Sequence, residues 1–112
     1  MVKLSILKKE KYLEVKIMVT MFKIQDENQA VFEGESFSRH IRCGKVLTSA
    51  LVDSFNRNKQ YRFRCCDDDE TIYFWGVCNK DDSFLPLNTI GEMYGCTYIE
   101  YFNDISREWE ML

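Results

Sequence analysis

The sequence is poor in the residues that break a chain. It has one proline, five glycines and one histidine in 112 residues. So little proline and glycine excludes a collagen-like or low-complexity chain. No apolar run approaches the ~18–20 residues a membrane-spanning helix needs. Ile17–Phe22 is too short and is broken by Thr20. A single histidine excludes a two-histidine metal site within one chain. The phosphate-cradling patterns GxGxxG and GxxxxGK[ST] are absent, as is the CxxC of a zinc ribbon. The start, Met1-Val2-Lys3-Leu4-Ser5, turns charged at Lys8, Lys9, Glu10 and Lys11. It has neither the apolar region nor the small-residue cleavage site of a secretory signal. The expected compartment is cytoplasmic, with Met18 and Met21 as alternative starts to Met1. Five cysteines (Cys43, Cys65, Cys66, Cys78, Cys96) form no framework spacing, so reduced and mostly buried thiols are expected.

What the sequence has is charge asymmetry. The formal net charge is −3. Residues 1–65 hold 13 basic and 7 acidic side chains, whereas residues 66–112 hold 2 and 11. The division falls at the Cys66–Asp67 step. With 46% hydrophobic and 29% charged residues, the chain has the composition of a folded globular protein rather than a disordered one. Its length suits one domain, 1–112.

Periodicity supplies an element order. Val2–Leu7 and Tyr12–Ile24 read as strands joined at Lys9-Glu10. Gln25–Gln29 reads as a polar loop and Ala30–Glu33 as a third strand closed by Gly34. The main helix lies within Ser36–Asn58, where Val46, Leu47, Ala50, Leu51 and Phe55 recur at helical spacing. Gln60–Cys66 and Thr71–Cys78 form a hairpin over Asp67-Asp68-Asp69-Glu70. A helical turn over Asn88–Tyr94, capped by Asn88 or Thr89, ends at Gly95. Cys96–Phe102 and Arg107–Met111 form a closing hairpin. In it Tyr98, Glu100, Phe102, Trp109 and Met111 share one face, read as the core side. Thr97, Ile99, Tyr101, Glu108 and Glu110 share the other, read as solvent-facing. The fold class is α+β: an antiparallel sheet of about five to seven strands with one main helix packed on it.

Three candidate sites follow. The acidic half offers Asp67, Asp68, Asp69, Glu70, Asp81, Asp82, Glu108 and Glu110 with Tyr101 as an aromatic anchor. Carboxylates in a one-sign field stand in for phosphates on a basic protein groove. From Ser36 to Arg64 there are seven cations and one anion, Asp53. Within that stretch Arg57, Lys59, Arg62 and Arg64, beside Tyr73 and Trp75 of the partner strand, match what a nucleotide or single-stranded nucleic acid needs. His40 and Cys43, three apart, would share a helix face as a thiol–imidazole pair flanked by Arg39 and Arg42. No cofactor or metal is implied. The acidic run Asp67–Glu70 lacks the spacing and glycine of a calcium loop.

The stretch Phe84–Leu112, reading Phe-Leu-Pro-Leu, then Ile-Gly-Glu, Tyr-Gly-Cys-Thr-Tyr-Ile-Glu-Tyr-Phe and Trp-Glu-Met-Leu, resembles the tail of small phage and mobile-element proteins. The chain as a whole is similar in size, charge and style to anti-CRISPR, other anti-defence and toxin-immunity proteins. The resemblance implies a non-enzymatic inhibitor that binds a nucleic-acid enzyme or toxin at its nucleic-acid site. The alternatives are a nucleic-acid or nucleotide binder and a cysteine enzyme. No membrane partner is expected, and an exposed edge strand makes a homodimer conceivable.

Overall fold

The computed structural model describes residues 19–112. The expected strand Val2–Leu7, the turn at Lys9-Glu10 and the first part of Tyr12–Ile24 lie outside the described residues. Six strands form one antiparallel sheet: β1 (Met21–Glu27), β2 (Arg42–Cys43), β3 (Tyr61–Cys66), β4 (Ile72–Cys78), β5 (Tyr98–Asn103) and β6 (Glu108–Met111). Their order across the sheet is β2-β1-β4-β3-β5-β6. The main helix is α1 (Ser49–Arg57). A short α2 (Leu85–Thr89) runs into a 3-10 turn over Gly91–Tyr94. The fold is α+β, and no helix among the described residues is long and apolar enough to cross a membrane.

The β3–β4 hairpin is the centre of the sheet, as its alternating aromatic text predicts. Phe63 stands opposite Gly76 and Cys65 opposite Phe74. Phe22, Ile24, Phe63, Cys65, Phe74, Ile99 and Tyr101 are buried on one face. Leu87 and Cys96, from α2 and the segment after the 3-10 turn, complete that core. Gly76 makes room for it. A Cβ there would fall 2.3 Å from the Lys23 carbonyl oxygen and 2.6 Å from the Phe63 ring.

β1 runs on through Glu27, into the segment read as a loop, because its ladder with β4 continues there. The expected strand Ala30–Glu33 is instead a series of turns. Asn28 organises them: its side-chain oxygen accepts from Ala30 N–H (3.0 Å), and its side-chain amide donates to the Ile72 carbonyl (2.7 Å). The loop that follows is held against the core by one buried carboxylate. Glu27 is 4% exposed and accepts from Phe37 N–H at 2.6 Å and from both terminal nitrogens of Arg39, Nη2 to Oε2 being 2.8 Å. The Arg39 hydrogen bonds outweigh desolvation and, with the Phe37 N–H, hold this carboxyl below the usual range. Phe32 and Phe37 thereby reach Phe74 and Tyr94, with edge-to-face contacts at 5.1–5.5 Å.

The helix is shorter than its apolar stripe suggests. Thr48 is the N-cap, accepting from Leu51 N–H at 3.2 Å. This places Val46 (86% exposed) and Leu47 outside α1. Side-chain capping outweighed a hydrophobic period that the backbone does not follow. Leu51 and Phe55 pack on Met21 and Val77, on the sheet face opposite the main core. Each such burial contributes roughly 1.5–3 kcal/mol. Residues 40–43 are not helical, so His40 and Cys43 do not share a helix face. Cys43 sits in β2 opposite Met21, and its thiol donates to the Lys45 carbonyl at 3.0 Å. Likewise α2 starts at Leu85 with Pro86 in its first turn, rather than at an Asn88 or Thr89 cap. The Thr89 hydroxyl bonds back to the Leu85 carbonyl. Gly95, at φ +98°, ends the 3-10 turn as expected.

The closing hairpin is the main correction. Its two face sets are as read from the sequence, with Phe102 paired to Trp109 and Glu100 to Met111. The sides are exchanged. Ile99 (0% exposed) and Tyr101 (5%) face the core, and the Tyr101 hydroxyl donates to the Ser83 carbonyl at 2.6 Å. The segment 84–96 folds back over that side, and nothing in the alternation of the two strands reports which side a distant segment will cover.

Candidate functional site

The exchange leaves Tyr98, Glu100, Phe102, Trp109 and Met111 on the sheet face that α1 covers only at one end. Pairing across the strands aligns two rows on this face. One runs Lys23, Val77, Arg62, Phe102, Trp109 and the other Asp26, Trp75, Arg64, Glu100, Met111. The aromatic rings and cations of these rows touch. Phe102 and Trp109 meet at 5.4 Å between centroids. The Arg64 guanidinium lies 4.3 Å from the Trp109 ring centroid, and Arg62 lies 4.8 Å from Phe102 and 5.3 Å from Trp109. Arg107 reaches the Phe102 ring at 5.5 Å. Cations over indole and phenyl faces are held by the ring quadrupole and keep their in-plane N–H groups for other partners.

The two arginines differ in one respect. Arg64 Nε donates to Glu100 Oε1 at 2.8 Å, a half-buried pair. Arg62 is exposed and has no carboxylate partner among the described residues. Counting Lys23, Arg62, Arg64 and Arg107 against Asp26 and Glu100, the face is positive. Between Trp75 and Trp109 it is indented by a groove of about 280 Å³ lined by Gln25, Asp26, Arg62, Trp75 and Trp109 over Phe63 and Gly76. A bulge in β1 between Ile24 and Asp26 brings Gln25 and Asp26 to it. That insertion has no signature in the sequence text.

Of the basic and aromatic residues singled out, the fold brings Arg62, Arg64 and Trp75 together and separates the others. Tyr73 falls at a second bulge, beside Cys66, and packs with the main core against Phe32. Its hydroxyl donates to Asp67 at 2.9 Å. Arg57 stands in the last turn of α1. Lys59 lies over the Tyr61 ring and 3.4 Å from Asp104. Sequence reading missed Phe102, Trp109, Lys23 and Arg107. The available signal was Arg62 and Arg64 themselves, because a strand that pairs with β3 puts its Arg-facing residues on the solvent side.

The acidic residues divide between the two ends of the sheet. Asp67–Glu70 cap the β3–β4 turn. Burial raises the Asp67 carboxyl, but hydrogen bonds from Thr71 N–H, Tyr73 OH and Asp69 N–H outweigh it and hold the group low. Asp68 accepts from the Thr97 hydroxyl at 2.6 Å. Asp67 therefore holds the turn, and Asp68 ties it to the segment before β5. Asp81 and Asp82 follow β4 at the other end, about 20 Å away by strand length. There Asp81, Asp104 and Glu110 line a groove of about 370 Å³ with Lys59, Tyr61, Ile105 and Leu112. Glu108 pairs opposite Asn103 on the same hairpin. Tyr101 lines that groove from a buried position and is no exposed anchor. Cys65, Cys66, Cys78 and Cys96 are free, buried thiols. Desolvation pushes Cys66 up to about 11 and Cys96 up to about 12, which suppresses thiolate chemistry. No group of three His, Cys, Asp or Glu among the described residues is placed to hold a metal ion.

Comparison with protein-family models, with curated proteins and with solved structures found no match.

Proposed function

We propose that the protein is a non-enzymatic module that binds single-stranded nucleic acid, or its nucleotides, on the open sheet face. The observation that carries this reading is the groove between Trp75 and Trp109 with Arg62 beside it. It is a stacking platform on a positive face of a net acidic molecule. Bases stack on aromatic side chains with little dependence on sequence, and arginine adds phosphate or base contacts. Fluorescence anisotropy with labelled oligonucleotides over a salt series tests it. Binding at low salt that is lost in Trp75→Leu and Arg62→Ala supports the reading, and no binding at low salt removes it.

A second reading is favoured by the acidic groove. In it the protein is an inhibitor, anti-CRISPR-like or toxin-immunity-like, that docks a basic nucleic-acid-binding site of its target. Asp81, Asp104 and Glu110 gather there around a lysine already tied to Asp104, which leaves negative charge for a partner's cation. Capture of a nucleic-acid enzyme or toxin that is lost when these three become Asn, Asn and Gln would support it. Undiminished capture would oppose it.

A further inference from the structure

The groove on the open face offers two opposed kinds of hydrogen-bonding group at one stacking surface. On the β1 side is the Asp26 carboxylate, an acceptor. On the β3 side is the Arg62 guanidinium, a donor fork. Trp75 stands on β4, the strand between them, so the two groups project from strands about 9–10 Å apart. A base lying on the Trp75 ring turns one edge to each. Asp26 is exposed, and one of its oxygens already accepts from Glu27 N–H at 3.0 Å. That bond orients the carboxylate and leaves its other oxygen open. The Arg62 guanidinium lies 4.8 Å from the Phe102 ring centroid and 5.3 Å from that of Trp109, contacts that restrain its side chain beside the groove.

Guanine fits this pair of edges best. It carries two acceptors, O6 and N7, on one edge, the pairing that arginine meets bidentately. It carries two donors, N1–H and the N2 amino group, on the next, which match a carboxylate. Adenine lacks the two-acceptor edge, and cytosine and thymine lack the paired donors. Gln25, with both a donor and an acceptor, discriminates little. We infer that the groove between Trp75 and Trp109 is a guanine site, with Arg62 and Asp26 reading adjacent edges of the base. This rests on the nucleic-acid reading of the open face.

The test uses the protein's own fluorescence. The sequence has two tryptophans, and both border the groove, so quenching on titration reports on this face alone. The probes are pentanucleotides of dT carrying dG, dA, dC or dT at the centre, together with guanosine monophosphate. The dG probe is expected to bind about tenfold more tightly than the other three, the scale of one good bidentate contact. Asp26→Asn should reduce that ratio below about threefold. Guanosine monophosphate binding as tightly as the dG probe makes the ligand a free nucleotide. Binding by the oligonucleotide alone makes it a strand. Equal quenching by all four probes overturns the guanine assignment while leaving the nucleic-acid reading intact. Retention of the dG preference in Asp26→Asn also overturns it. No quenching by any probe at low salt overturns both.

Discussion

Breaking the Glu27–Arg39 pair from its two sides should cost different amounts. The Glu27 side chain is 2% exposed and the Arg39 side chain 45%. In Arg39→Ala the carboxylate stays buried with backbone N–H donors, chiefly that of Phe37, as its remaining partners. Removing the counter-charge of a buried ion costs about 3–5 kcal/mol. In Glu27→Gln the guanidinium turns into water, so no charge is stranded, and the glutamine oxygen still accepts one of the original donors. That loss is the charged part of the hydrogen bonds, about 1–2 kcal/mol. The double variant should cost about as much as Glu27→Gln alone, because the stranded carboxylate is gone. The coupling read from the cycle then equals the Arg39→Ala cost, about 3–5 kcal/mol.

Urea denaturation of all four proteins, followed by circular dichroism at several pH values, measures these differences. The pH dependence has a definite sign. In the native protein Glu27 titrates below its unfolded value. Its contribution is complete above about pH 4.5 and is lost as pH falls through the lowered folded value. In Arg39→Ala the carboxyl has lost the partner that held it low, and desolvation raises it instead, so protonation relieves the strain. The stability gap between native and Arg39→Ala proteins should therefore shrink as pH falls through about 4.5. Glu27→Gln costing as much as Arg39→Ala would refute the burial argument, as would a gap that does not change with pH.

Three further outcomes are expected. Gly76→Ala should lose roughly 1–3 kcal/mol, measured as a lowered denaturation midpoint, because the added methyl meets the Lys23 carbonyl and the Phe63 ring; a midpoint unchanged from native would show that the strands separate freely. Iodoacetamide on the native protein should label Cys43 and spare the four buried thiols, with mass spectrometry counting one adduct before and five after denaturation. Oligonucleotide affinity should depend only shallowly on salt. Arg64 is neutralised by Glu100 and Arg62 is assigned to the base, which leaves Lys23 and Arg107 for phosphates and a log–log slope near about −1.4; a slope several times steeper would place the phosphate contacts elsewhere.

The β3–β4 hairpin, the turn at Asp67–Glu70 and the end at Gly95 were legible because local chemistry decides them: alternation, turn residues and a glycine at positive φ. The start of α1 was not, because Val46 and Leu47 continue the apolar period while Thr48 caps the helix after them. The site was half legible. Arg62, Arg64 and Trp75 converge as their strand positions imply, since pairing of sequential strands is the most local tertiary contact. Phe102 and Trp109 join them only because residues 84–96 cover the opposite side of β5, a long-range decision with no local mark. Asp26 and Tyr73 moved for a related reason. Each lies at a bulge, and one extra residue re-aims a side chain that alternation would place elsewhere.

The sequence-level division into a basic and an acidic half becomes, in the fold, a division between a face and its ends. The acids of the second half occupy the β3–β4 turn at one end of the strands and the 81–82 and 104–110 segments at the other. A Debye length of ~8 Å at physiological salt keeps those ends from cancelling the face between them. The face's own carboxylates have local work: Glu100 fixes Arg64, and Asp26 stands opposite Trp75. In the proposed reading a phosphate chain is repelled at both strand ends and attracted between them. In the proposed reading the ligand therefore crosses the strands, from Lys23 on β1 toward Arg107 before β6, with its bases turned to the tryptophans. The acidic ends, which dominate the net charge, then act as the boundaries of the site and not as the site.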